Sequence, residues 1–113
     1  MEWTTERRYR RYEDWTKEEK KAIQENMAKS PWHTHYHVEP ASGLLNDPNG
    51  FSYFDGKWIL FYQNFPFGAA HGLKSWVQTE SEDLVHFTET GVTLLPDTDL
   101  DSHGAYSGSA MQF

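Results

Sequence analysis

The 113-residue sequence contains no cysteine. That excludes a disulfide framework, a thiolate metal site and a thiol nucleophile, and it leans towards a reducing compartment. Positive charge is the second scarcity. From Pro31 onward arginine is absent and Lys57 and Lys74 are the only basic side chains, against ten Asp and Glu. Neutralising a phosphate backbone needs a basic face, so nucleic-acid binding is excluded. No apolar run approaches the roughly 20 residues of a membrane helix, and the opening MEWTTERRYRRYEDW lacks the apolar segment of a secretory signal. The chain therefore reads as cytoplasmic, with no membrane association. Aliphatics are sparse too: hydrophobic residues make up 37% of the chain, of which 5 Trp, 6 Tyr and 7 Phe supply a large part. Many rings with few aliphatics suit a β-rich, sugar-handling protein better than a helical bundle.

What is present changes character at Pro31. Residues 1–30 carry 8 basic and 7 acidic groups, whereas residues 31–113 carry 2 and 10, so the expected division is a helical extension over 1–30 and a β-rich unit over 31–113. Thr16-Lys17-Glu18-Glu19 has the spacing of a capping box, in which hydroxyl and carboxylate each satisfy an orphan backbone donor. A helix over Lys17–Lys29 follows, with Ala22, Ile23 and Met27 on one stripe and Ser30-Pro31 ending it. A helix this short is marginal alone and must dock. Beyond Pro31, Phe51–Phe54 and Trp58–Tyr62 flank Asp55-Gly56, a type I′ hairpin signature. Further short strands are expected at Lys74–Thr79, Val85–Thr88 and Tyr106–Gln112, the spacing of a sandwich, barrel or propeller. The last runs to Phe113 with no turn or cap behind it, as in a piece of a longer protein.

Asn46-Asp47-Pro48-Asn49-Gly50 places one carboxylate, two amides and two backbone breakers immediately before the hairpin. As chemistry, it is a rigid loop presenting Asp47 at a strand start, with amides to orient it or to bind a polyol. As structure, it is ordinary turn composition. His33, His35 and His37 alternate, which puts them about 7 Å apart in succession on one face of an extended strand, too far apart for a metal site. His86 completes a turn begun at Asp83, and Trp58, Trp76 and Phe87 suit a core between sheets. Asp97, Asp99 and Asp101 read as solvated loop acids.

Four segments taken together resemble glycoside hydrolase family 32, the β-fructosidases: Gly43-Leu44-Leu45-Asn46-Asp47-Pro48-Asn49-Gly50-Phe51, Leu60-Phe61-Tyr62-Gln63-Asn64, Ser81-Glu82-Asp83-Leu84-Val85-His86-Phe87 and Tyr106-Ser107-Gly108-Ser109-Ala110. Within that family the likeness is strongest to members acting on phosphorylated sucrose, through Ser30-Pro31-Trp32, Tyr36-His37 and Glu39-Pro40. The resemblance implies an all-β fold: the first blade and part of the second of a five-bladed β-propeller, preceded by a short N-terminal helix. It implies retaining hydrolysis of a β-fructofuranoside, sucrose 6-phosphate or sucrose, with Asp47 as nucleophile and no metal or cofactor. Asn46, Gln63, Trp76, Tyr106 and Ser107 fall on substrate-binding positions.

A retaining glycosidase needs two carboxyl groups about 5–5.5 Å apart. Asp47 supplies one, and amides at Asn46 and Gln63 would hold it by hydrogen bonding without adding charge. The resemblance takes the acid/base glutamate from a Glu-Cys motif and a further aspartate from an Arg-Asp-Pro motif, and neither occurs in these 113 residues. The fragment alone is therefore expected to be inactive. Trp76-Val77-Gln78-Thr79 stands where many relatives have Trp-Gly-His-Ala, and His71-Gly72 where some have a tryptophan, which alters the aglycone side. Lys74 and His71 are the local groups able to meet a phosphate. The competing expectations are a non-catalytic sugar-binding propeller and a truncated gene product, separated from the enzyme by whether an acid/base glutamate follows downstream.

Overall fold

Asp55 and Gly56 have φ angles of 50° and 81°. A type I′ turn demands this left-handed pair, and at the second position glycine meets no steric cost. The turn closes the expected hairpin between β1 (Leu44–Phe54) and β2 (Lys57–Phe65), with Phe54 opposite Lys57 and Tyr53 opposite Trp58. β3 (Ser75–Ser81) and β4 (Thr88–Leu94) extend it into one antiparallel sheet ordered β1-β2-β3-β4, the form of a single propeller blade. This computed structural model describes residues 2–112, so the expected chain break at Phe113 lies outside the described residues. Among them the sheet is open, with β1 and β4 as its edges.

Three expectations are corrected. Val85–Thr88 is not a strand: β4 begins only at Thr88, because Asp83 Oδ1 accepts the backbone N–H groups of Val85 (2.9 Å) and His86 (2.8 Å) and so removes them from any ladder. Tyr106–Gln112 forms no strand either. It lies beside β1 through a backbone bond from Gly50 N to Gly108 O (3.2 Å), at a point where the register of β1 shifts between Asn49 and Ser52 and offers no regular edge. The three histidines share no strand. Glu39 folds their segment back by accepting from Thr34 N (3.0 Å) and pairing with His33 Nδ1 (2.7 Å), while the other His33 nitrogen meets Met27 O.

The N-terminal segment is tied to the sheet by aromatic rings. α2 (Lys17–Ala28) begins with the expected Thr16–Glu19 capping box, and a shorter helix, α1 (Thr5–Arg8), precedes it. Trp15 stacks on Phe67 at 4.2 Å and 3°, Phe65 meets Phe67 edge-on, and Trp3, Tyr12, Ile23 and Leu44 close around them. Full burial of one such side chain is worth about 1.5–3 kcal/mol, so this cluster anchors the extension to the end of β2. Tyr12 donates towards Asn64 O and Leu73 O, and its burial raises its pKa to about 12. Leu73 N donates to Arg8 O at 2.7 Å. That approach needs Gly72, since a Cβ there would lie 2.4 Å from the same carbonyl.

Candidate active site

The Asn46–Gly50 motif lies inside β1 rather than ahead of it, and its aspartate is the residue that the ladder omits. Asn46 pairs with Gln63 and Pro48 with Tyr62, so Asp47 is a bulge. Its φ of 42° is left-handed, a region that aspartate tolerates at a cost of about 1 kcal/mol. Proline after it brings no N–H to pair, and the bulge re-aims the side chain out of the alternation that β1 would otherwise impose. Asn49 Nδ2 donates to Asp47 O at 2.9 Å and steadies the bulge from below.

Beside the bulge, register builds a row. Asn46, Gln63 and Trp76 are successive cross-strand partners on β1, β2 and β3, and residues directly opposite one another share a face. Asn46 Nδ2 donates to Gln63 Oε1 at 2.7 Å. The segment after the blade then closes on the row one residue at a time. Gln63 Nε2 donates to Ala105 O (2.7 Å), Trp76 Nε1 donates to Tyr106 O (3.0 Å) and Ser107 Oγ donates to Asp47 Oδ2 (3.1 Å). All six residues expected for the site, Asp47, Asn46, Gln63, Trp76, Tyr106 and Ser107, are thus brought together by hydrogen bonds or register.

The expected amide contacts to Asp47 are absent. Asn46 and Gln63 bond each other and Ala105 instead, because the bulge swings Asp47 out of their row, and Ser107 supplies the one side-chain bond its carboxylate receives among the described residues. The Asn46 side-chain oxygen Oδ1 is buried and has no hydrogen-bond partner among the described residues. Asp47 Oδ1 likewise has no hydrogen-bond partner among the described residues. Trp58, Trp76 and Phe87 are all half-buried rather than fully enclosed.

Asp47 opens into a hollow of about 170 Å³ shared with Gln63, His71, Lys74, Tyr106 and Gly104, and closed by two residues that sequence reasoning missed, Tyr9 and His103. Tyr9 follows α1, and the Leu73 to Arg8 bond carries it there; no local pattern in the sequence signals a contact so distant along the chain. His103 sits in the loop read as purely structural and packs on the Tyr9 ring at 5.5 Å. Burial lowers the Lys74 ammonium below its ordinary pKa, while the Asp47 charge acts in the opposite sense. Among the described residues Asp47 is the sole carboxylate lining the hollow. Asp101 instead caps Thr98 (2.8 Å to its N), and Asp97 and Asp99 are exposed. His86 keeps its expected turn role, its Nδ1–H donating to Asp83 Oδ2 at 2.7 Å, and this contact comes first among the causes that hold Asp83 well below the usual carboxylate range.

No helix among the described residues is long and apolar enough to cross a membrane, and no group of three potential metal ligands occurs among them. Residues 37–113 match the model of the glycosyl hydrolases family 32 N-terminal domain. The chain is 75% identical over 105 residues to a sucrose-6-phosphate hydrolase of Streptococcus mutans, covering 93% of this chain and 22% of that one. Its structure superposes on that of a sucrose-6-phosphate hydrolase from Lactobacillus gasseri with a TM-score of 0.94 at 54% identity, over 99% of this chain and 23% of the other. A Bombyx mori family 32 β-fructofuranosidase, a mutant in complex with sucrose, superposes with a TM-score of 0.64 at 32% identity, over 84% and 21%. The chain thus spans less than a quarter of each relative, the part that carries the first blade of their propellers. With the domain match running over most of its length, the chain belongs to glycosyl hydrolase family 32.

Proposed function

We propose that the chain is the nucleophile-bearing part of a sucrose-6-phosphate hydrolase working by retention. The observation that supports this most is the bulge: Asp47 is turned out of β1, held at Oδ2 by Ser107 and left with Oδ1 free. In the first half-reaction Oδ1 bonds to the anomeric carbon of the fructosyl unit, the bond from that carbon to the bridging oxygen breaks, and glucose 6-phosphate departs once that oxygen is protonated. In the second, water replaces the carboxylate and fructose leaves with its configuration retained. Asn46, Gln63, Trp76, Tyr106 and Ser107 surround the fructosyl unit. The amide row places neutral groups, and no further charge, beside the fructosyl unit.

The proton donor comes from the remainder of the longer protein, since Asp47 is the one carboxylate of this hollow among the described residues. General acid catalysis of a poor alkoxide leaving group is worth about 10²–10⁴ in rate, so residues 1–113 by themselves do not turn over sucrose or its phosphate. A phosphorylated disaccharide does not diffuse through a bilayer, and the proposed location is therefore the cytoplasm. The test is glucose 6-phosphate release by the intact protein, with the fructose anomer followed by NMR before mutarotation. Release with retention is expected. Binding of sugar without release assigns a non-catalytic role, and an inverted product removes Asp47 as nucleophile.

A further inference from the structure

Resting on that proposed function, we infer that Lys74, with His71, His103 and the Tyr9 hydroxyl, forms the subsite that holds the phosphate of the leaving sugar. The reasoning starts from charge. From Pro31 onward the sequence has two cationic side chains that are charged irrespective of pH near neutrality, Lys57 and Lys74. Lys57 is committed to Glu80 at 2.8 Å on the far end of the sheet. Lys74 has no carboxylate partner within salt-bridge distance among the described residues, yet it is half-buried in the hollow that Asp47 enters. Partial burial of an ammonium without a paired carboxylate is costly. A ligand that brings negative charge repays that cost.

The neighbours of Lys74 suit a phosphate monoester. Two imidazoles and a phenol line the same hollow as Lys74 and supply N–H and O–H donors, and a monoester presents three acceptor oxygens with about −1.5 to −2 charge near neutral pH. The backbone around them is fixed: Ala105 N donates to Lys74 O at 2.8 Å, and a Cβ at Gly104 would lie 2.9 Å from Lys74 N. Tyr9 and His103 support each other ring to ring. Asp47 in the same hollow repels the phosphate from the attacking oxygen and leaves the uncharged fructosyl unit over the amide row. The substrate is thereby oriented by charge at one end and by neutral hydrogen bonds at the other. The N-terminal extension, which precedes the family domain match, acquires a part in specificity through Tyr9.

The experiment uses the intact protein and two readouts. Lys74→Met is expected to lower the ratio of kcat/KM for sucrose 6-phosphate over sucrose by about 10- to 100-fold, as loss of a charge-assisted hydrogen bond does. Lys74→Arg, which keeps the charge, restores most of the ratio. Separately, glucose 6-phosphate binding is measured by calorimetry in an Asp47→Asn background, where turnover plays no part. Weakening by Lys74→Met there, with glucose binding unmoved, supports the subsite even if the hydrolase reading fails. An unchanged ratio, an equal loss for both substrates in a folded Lys74→Met protein, or unaltered glucose 6-phosphate affinity overturns it. A ratio near one in the wild-type protein overturns the phosphorylated substrate itself.

Discussion

Asp47 and Asp55 both lie along the β1–β2 hairpin, both have positive φ, and only one of them can be chemistry. Asp55 occupies the hairpin tip, exposed, beside a glycine whose surroundings are empty within 4 Å. Asp47 occupies a bulge that faces a hollow, with its carboxylate gripped by a residue 60 positions away. The same residue type in the same backbone region is turn grammar in one place and, in the proposed function, the attacking group in the other. What differs is not the local conformation but what the rest of the chain brings to it. Ala105, Tyr106 and Ser107 return to the Asp47 end of the hairpin and bond to its site, whereas Ala110–Gln112 pass beside Ser52–Phe54 and, among the described residues, no side-chain hydrogen bond reaches Asp55.

The sharpest way to break this comparison is to substitute both aspartates alike. Asparagine tolerates the left-handed region as well as aspartate, so Asp47→Asn and Asp55→Asn should fold equally. In the intact protein we expect Asp47→Asn to lower kcat by about 10³-fold or more and Asp55→Asn to leave it unchanged. A tenth of the wild-type rate in Asp47→Asn would place the two aspartates in one class. Next in size is Gln63→Leu. It strands the Ala105 carbonyl and the Asn46 amide, both partners of the buried Gln63 side chain, and should cost about 2 kcal/mol in chemical denaturation, a loss with no counterpart at the Asp55 end. Ser107→Ala frees the Asp47 carboxylate without removing it. About a 10-fold fall in kcat with little change in KM is expected, and a pure KM effect would mean that Ser107 binds sugar without positioning Asp47.

A third aspartate gives the smallest and most specific contrast. Asp83 accepts from the His86 ring, the His86 and Val85 amides and the Ser81 hydroxyl, and these bonds lower its pKa below its ordinary value of 3.8. A depressed carboxylate contributes stability that is present above the unfolded pKa and lost as pH falls through the folded one. The His86 amide should therefore keep its exchange protection from neutral pH down to about 4 and lose it only on further acidification. Asp83→Ala should remove that protection at every pH. Protection that disappears already near pH 6 would contradict Asp83 as the group that holds the turn.

The hairpin was legible because Asp-Gly between aromatic runs has few other uses, and α2 because Thr16 and Glu19 bracket a helix start. The family was legible in four ordered motifs. The backbone position of Asp47 was not: Asn-Asp-Pro-Asn-Gly has turn composition, and only its pairing with Gln63 and Tyr62 shows that the strand runs through it. Val85–Phe87 has apolar residues suited to a strand, yet one carboxylate two residues earlier takes the amides a ladder would use. Tyr9 was invisible for another reason. Its place depends on Trp15 stacking on Phe67 and on Leu73 bonding Arg8, contacts between segments that share no local pattern.

The central claim is that Asp47 bonds to the fructosyl carbon during turnover. Intact protein mixed with sucrose 6-phosphate, quenched in acid within the steady state, digested with pepsin and analysed by mass spectrometry tests it directly. We expect a peptide containing Asp47 to carry one added fructosyl unit, and that species to be missing from Asp47→Asn. A fructosyl adduct on any other carboxylate, with the Asp47 peptide unmodified, would contradict the claim.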